Sequence, residues 1–219
     1  MTIALGRNQR TQLRLAAQDT APFRWLKRNR DRLLLRRWNN HGRPVPPPHA
    51  FKRALVLAAG EQTGAGLFVE TGTFYGDMVD AVSEQFRRIV SIELDPRLHQ
   101  IAQRRFRDRD HIQLLLGSSE DLLPGVLERI TEPAVFWLDA HYSGSRTAVG
   151  SSETPVVSEL NSVLNHRIKK HVILVDDARC FDGTHDYPRL NDIQDLLVEH
   201  SGEYSWQVAS DVIQIRPKP

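Results

Sequence analysis

The chain has 219 residues, of which 40% are hydrophobic and 26% charged. These ordinary globular proportions exclude a collagenous, coiled-coil or wholly disordered chain, and the length allows one domain with a full core. The longest apolar run, Ala54 to Ala59, is too short to span a bilayer, and the one cysteine, Cys180, leaves no intramolecular disulfide and no cysteine-based zinc site. The basic N-terminal segment lacks the apolar stretch of a secretory leader, so a reducing, cytoplasmic setting is expected.

The formal net charge of +2 hides an uneven distribution. Residues 1–53 hold 13 Lys/Arg against 2 Asp/Glu, and the remainder holds 16 against 25. A basic arm therefore precedes an acidic body. Within the arm, Phe23 to Trp38 reads as a helix with Leu26, Leu33, Leu34 and Trp38 on one face and arginines around the rest. Three roles fit such a helix: packing on the body, contact with an anionic membrane surface at the inner membrane face, and nucleic-acid binding. The last has no recognised motif behind it. Four prolines within Pro44 to Pro48 predict an extended segment. The expected division is residues 1–48 as arm and linker and 49–219 as the folded domain.

The body alternates strands and helices. Strands are expected at 67–70, 88–95, 112–117, 134–139 and 172–176, with helices at 76–87, 96–107, 120–130, 155–166 and 188–200. Two late strands, 204–209 and 212–215, can close as a hairpin. Alternation of this kind predicts an α/β fold with parallel pairing, right-handed crossovers and an antiparallel addition at one edge. Ligands bind such sheets at the carboxyl ends of the strands. Those ends read Glu70-Thr71-Gly72, Glu93-Leu94-Asp95, Gly117-Ser118-Ser119, Asp139-Ala140-His141 and Asp176-Asp177.

The first turn, Glu70-Thr71-Gly72-Thr73-Phe74-Tyr75-Gly76, has the form E-x-G-x-x-x-G. Gly72 allows a sharp turn and Gly76 close helix packing. A dinucleotide turn needs two glycines one residue apart, and its pyrophosphate would be repelled by Glu70, whereas an ammonium group would be attracted. Glu93 follows Glu70 by 23 residues, near the offset of about 20 at which an acid grips ribose hydroxyls. Asp95 suits the N-cap of the helix that begins at Pro96.

The succession ETGTFYG, SIELD, LLGSSEDLLP, FWLDAHYSG and VILVDDAR resembles class I S-adenosylmethionine-dependent methyltransferases over residues 50–219. LDAHYSG and VDDAR, with the PVPPPH segment before the first body helix, are similar to a bacterial subgroup of that fold. The resemblance implies a Rossmann-like α/β sandwich, with a mostly parallel seven-stranded sheet, an antiparallel edge strand and helices on both faces. It implies that Glu70, Thr71, Gly72 and Gly76 line the methionine end of the cofactor, that Glu93 holds its ribose, and that Ser118, Ser119 and Glu120 flank its adenine.

Asp139, Asp176 and Asp177 end what should be neighbouring strands. The pattern is similar to metal-dependent O-methyltransferases such as catechol and macrocin O-methyltransferases, which implies a Mg²⁺ ion on these three acids. Two other roles stay open: capping of the next segment by Asp139 with one of Asp176 and Asp177 structural, and neutralisation of the aspartate pair by Arg179. His141 is a candidate general base beside Asp139, contributing about 10²–10⁴ in rate in such a role. The glycine-containing segment Tyr142 to Ser152 is suited to close over the site. The implied activity is O-methylation of a small-molecule or glycan hydroxyl. The alternatives are a non-catalytic S-adenosylmethionine-binding protein of the same fold and a nicotinamide-dependent oxidoreductase.

Overall fold

The structure, a computed structural model, describes residues 21–139, 155–184 and 187–219. The chain divides between Phe51 and Lys52 into two compact units. The first contains helix α1 (Ala21–Asn40). Arg37 lies in the last turn of α1, where a cation complements the helix dipole. Just beyond it the Trp38 indole Nε1–H donates to the Pro44 carbonyl at 2.7 Å, and its ring packs on Phe51 at 4.8 Å between centroids. The proline segment bends at 45–46 rather than running as one extended stretch.

Helix α2 (His49–Thr63) leads into the second unit. There follow β1 (Leu67–Thr71), α3 (Asp77–Val82), β2 (Arg88–Glu93), α4 (Pro96–Phe106), β3 (Ile112–Leu116), α5 (Ser119–Leu127) and β4 (Ala134–Leu138). The second half continues with α6 (Val156–Leu164), β5 (Val172–Val175), a 3₁₀ turn at Ala178–Cys180, α7 (Leu190–Val198), β6 (Tyr204–Ala209) and β7 (Val212–Pro217). The seven strands form one sheet in the order β3-β2-β1-β4-β5-β7-β6. The first five pair in parallel; β7 runs antiparallel to both β5 and β6. The late hairpin thus makes the antiparallel edge, with β6 outermost and β7 returning inside it.

Residues 67–71, 134–138 and 172–175 are buried along their whole length. Their near-continuous apolar sequences follow from burial on both faces, where alternation would place polar groups in the core. One face packs Val69, Phe136 and Ile173 with α5, α6 and α7 through Leu123, Leu160 and Ile193. The other packs Phe68, Trp137 and Leu174 with α2, α3 and α4 through Val56, Val79 and Ala102. The helix expected over 76–87 stops at Val82. Ser83 Oγ donates back to the Asp80 carbonyl at 3.0 Å, offering the backbone an alternative to the next helical bond. The β6–β7 loop is two residues, Ser210 and Asp211, with φ of 50° and 66°. Both lie in the left-handed region, which matches the twist of a two-residue hairpin.

Candidate functional site

The chain crosses from β3 at one side of the sheet back to β4 beside β1, so the strand order reverses between β1 and β4. Such a switch point opens a crevice at the carboxyl ends of the strands. The backbone binds these ends together: Asp139 N–H donates to the Thr71 carbonyl at 3.2 Å, and Asp176 N–H to Leu138 at 3.0 Å. Every described site residue expected from the sequence lies along this edge. Glu70 and Thr71 end β1, Glu93 ends β2, Ser118 precedes α5, Ser119 and Glu120 open it, and Asp139, Asp176 and Asp177 follow β4 and β5. His141 and the segment 142–152 lie outside the described residues.

The turn after β1 is fastened to β2. Gly72 and Thr73 N–H groups donate to the Ile92 carbonyl at 2.9 and 3.2 Å. Gly72 and Gly76 have φ of 85° and 75°, conformations open to glycine. A Cβ on Gly76 would lie 2.5 Å from Cε2 of Phe106, so this glycine admits α4 against the turn, as its spacing suggested. Glu93 is held at both oxygens: Oε2 accepts the Phe74 N–H at 2.7 Å, and Oε1 accepts the Asp95 N–H at 2.8 Å. Burial raises its pKa, and these amides pull it part-way back. Asp95 caps α4, accepting from Arg97 and Leu98 N–H groups.

Glu70 and Thr71, adjacent in an extended strand, face opposite sides of the sheet. Glu70 is buried on the α3–α4 side, where Ser91 Oγ donates to Oε2 at 2.6 Å and Thr73 Oγ1 joins Ser91 at 2.6 Å. Burial drives its pKa well above the carboxylate range, Ser91 opposes the rise, and Asp139 and Glu93 add to it. On the other side stands Glu159, 1% exposed, in the first turn of α6. Burial raises its pKa to about 7, and the Ser119 and Thr71 hydroxyls oppose the rise, yet neither carboxylate oxygen closes a hydrogen bond of ordinary geometry. Glu159 escaped the sequence analysis, although a signal existed. It occupies a core position in the helical spacing Val156, Glu159, Leu160, Val163.

The three aspartates converge as expected, each offering an oxygen within 4.8 Å of the others. Lys52, counted by sequence in the basic arm, sits on two of them. Its Nζ lies 2.6 Å from Asp176 Oδ2 and 3.1 Å from Asp177 Oδ1. Asp176 Oδ1 accepts the Asp177 N–H at 2.7 Å. Arg179 Nη1 donates to Asp177 Oδ1 at 2.8 Å and also bonds the buried Asp211 carboxylate, while its backbone N–H donates to Asp211 Oδ1 at 2.8 Å. Arg179 therefore neutralises the pair in part, the role held open for it, and Lys52 was missed because no local spacing links it to acids 124 and 125 residues away. Burial, with Asp139 and Asp177 alongside, raises the Asp176 pKa, while Lys52 lowers it. The oxygen donors suit a hard cation in type. The position does not suit one, because an ammonium group already engages two of the three carboxylates.

No protein-family model and no curated protein matches the chain. Solved structures do. An O-methyltransferase from Bacillus cereus in complex with SAH is 17% identical with a TM-score of 0.57, covering 86% of this chain and 90% of that one. The O-methyltransferase TomG from Streptomyces achromogenes, in complex with SAM, is 15% identical with a TM-score of 0.56, covering 85% and 88%. The SAH-bound methyltransferase PaMTH1 from Podospora anserina is 18% identical with a TM-score of 0.52, covering 100% of both chains. At these identities the likeness establishes the fold: the Rossmann-like sandwich of class I S-adenosylmethionine-dependent methyltransferases.

Proposed function

We propose that a chain with this fold transfers a methyl group from S-adenosylmethionine to a hydroxyl oxygen of a small molecule or glycan. The observation that carries the cofactor is Glu93. Its carboxylate, oriented by two backbone amides at the end of β2, keeps further lone pairs for the two ribose hydroxyls. The acids around it support the same ligand. Glu93 and Asp139 both raise the cost of ionising Glu70, and a sulfonium with an ammonium group offsets that repulsion where a pyrophosphate would add to it. Glu70, Thr71, Gly72 and Gly76 then line the methionine end, Ser118, Ser119 and Glu120 flank the adenine, and Asp139 stands at the methyl-acceptor end.

The cofactor brings an electrophilic methyl group when bound. The chain has to orient it, exclude water and accept the proton of the acceptor hydroxyl. His141, two residues beyond Asp139 in sequence, is the assigned base. No step passes through a metal ion, since Lys52 engages two of the three acids that would hold it. Calorimetric titration with S-adenosylmethionine, with NAD as control, tests the assignment. Saturable binding of the first alone is expected, followed by S-adenosylhomocysteine release in an acceptor screen that is lost in His141→Ala. Binding of NAD alone would replace this function with the oxidoreductase alternative. Cofactor binding with no turnover on any acceptor would favour the non-catalytic binder.

For the arm we propose contact with an anionic membrane surface from the cytoplasmic side. Leu26 and Leu33 of α1 are 59% and 64% exposed among exposed arginines 30, 32, 36 and 37. No helix among the described residues is long and apolar enough to cross a membrane, so such contact would be peripheral.

A further inference from the structure

We infer that Lys52 is the built-in cation of the Asp139–Asp176–Asp177 cluster, and that it excludes a divalent ion from the site and makes the reaction independent of metal. The inference rests on the methyltransferase reading for its consequence, though not for its geometry. Lys52 begins the second unit, one turn into α2, and its side chain is only 13% exposed. Burying an ammonium group is costly unless it is paired, and here two carboxylates pair it. The surrounding bonds leave those carboxylates little freedom to turn toward another cation. Asp176 has one oxygen on Lys52 and the other on the Asp177 amide, while Asp177 Oδ1 carries Lys52 and Arg179 together. Arg179 is fixed in turn by Asp211 of the β6–β7 loop.

A divalent ion on the same oxygens would therefore have to displace an ammonium group whose side chain is only 13% exposed. Like charges at such separations repel strongly away from bulk water. The arrangement performs with a side chain what a bound ion does elsewhere: it holds adjacent acids together at a strand end. It supplies no Lewis acid to the acceptor. The hydroxyl proton must then leave to a protein base.

Manganese titration followed by the electron paramagnetic resonance of free Mn²⁺ tests this on the full-length protein, native and with Lys52→Met. The native protein is expected to bind no stoichiometric Mn²⁺. Lys52→Met should gain one site, and that site should vanish in Lys52→Met/Asp176→Asn. A single Mn²⁺ bound by the native protein and lost in Asp176→Asn would overturn the inference. So would a folded Lys52→Met that gains no site. Should Lys52→Met not fold, the native protein after chelation carries the test. Its melting temperature should not change when Mg²⁺ is added, and a rise of several degrees that Asp176→Asn abolishes would overturn the inference. Failure of the protein to bind S-adenosylmethionine would defeat the methyltransferase reading while leaving the Mn²⁺ result intact, so the two failures are distinct.

Discussion

The Glu93 carboxylate accepts the Phe74 N–H at 2.7 Å, joining the end of β2 to the turn after β1. One acid thus shapes the glycine turn and, in the proposed function, also holds the ribose. Glu93→Gln keeps the size of the side chain but cannot accept through both of its terminal atoms. Hydrogen bonds to charged groups contribute about 1.5–3 kcal/mol, so S-adenosylmethionine affinity should fall about 10- to 100-fold. Calorimetry reads this directly, and unchanged affinity in a folded variant would remove Glu93 from the cofactor site.

Gly76→Ala should destabilise the protein by about 1–3 kcal/mol, from a left-handed backbone and a crowded core position. The backbone φ is 75°, and the added Cβ would meet Phe106 at 2.5 Å. Urea denaturation measures the loss. Gly125→Ala is the control, since a Cβ there meets nothing within 4 Å and its helical position favours alanine.

Glu159 gives a pH dependence of definite sign. Its carboxyl titrates near 4.5 when unfolded and near 7 when folded. Between those values the folded state binds the extra proton, so its contribution to stability falls as pH rises from 4.5 to 7. Glu159→Gln removes the ionisation. Its stability advantage over the native protein should grow through that window, by on the order of 3 kcal/mol at most. Denaturation curves of the two proteins that stay parallel from pH 4.5 to 8 would contradict a raised pKa at this position.

Asp211 anchors Arg179 from the hairpin loop. Asp211→Asn tolerates the φ of 66° but loses the charge opposite the guanidinium. A cost of about 1–2 kcal/mol is expected, tempered by the 39% exposure of the Arg179 side chain. Asp211→Ala should cost more, since it adds backbone strain to the lost bonds.

Vesicle flotation tests the arm. The full chain should float with vesicles containing phosphatidylserine and not with neutral ones, and Arg36→Glu/Arg37→Glu should weaken flotation and flatten its salt dependence. Equal flotation with both vesicle types would contradict an electrostatic contact.

Much of this was legible in the sequence because strand ends are local features. The apolar stretches within 67–69, 88–92, 134–138 and 172–175 mark buried strands, and the residues that end or follow each strand are candidates for the carboxyl edge whatever the strand order. Glu70, Glu93, Asp139 and Asp176 were found in that way, and the Asp95 cap and Gly76 packing followed from spacing within one turn. Chain order alone did not determine which residues those acids would meet. Lys52 reaches Asp176 across a separation of 124 residues, and Asp211 reaches Arg179 across one of 32. Sheet order brings these groups together, and no periodicity encodes it. By sequence Lys52 was one more charge in a basic arm; the fold makes it the partner of two buried acids, because an ammonium group removed from water must find a carboxylate.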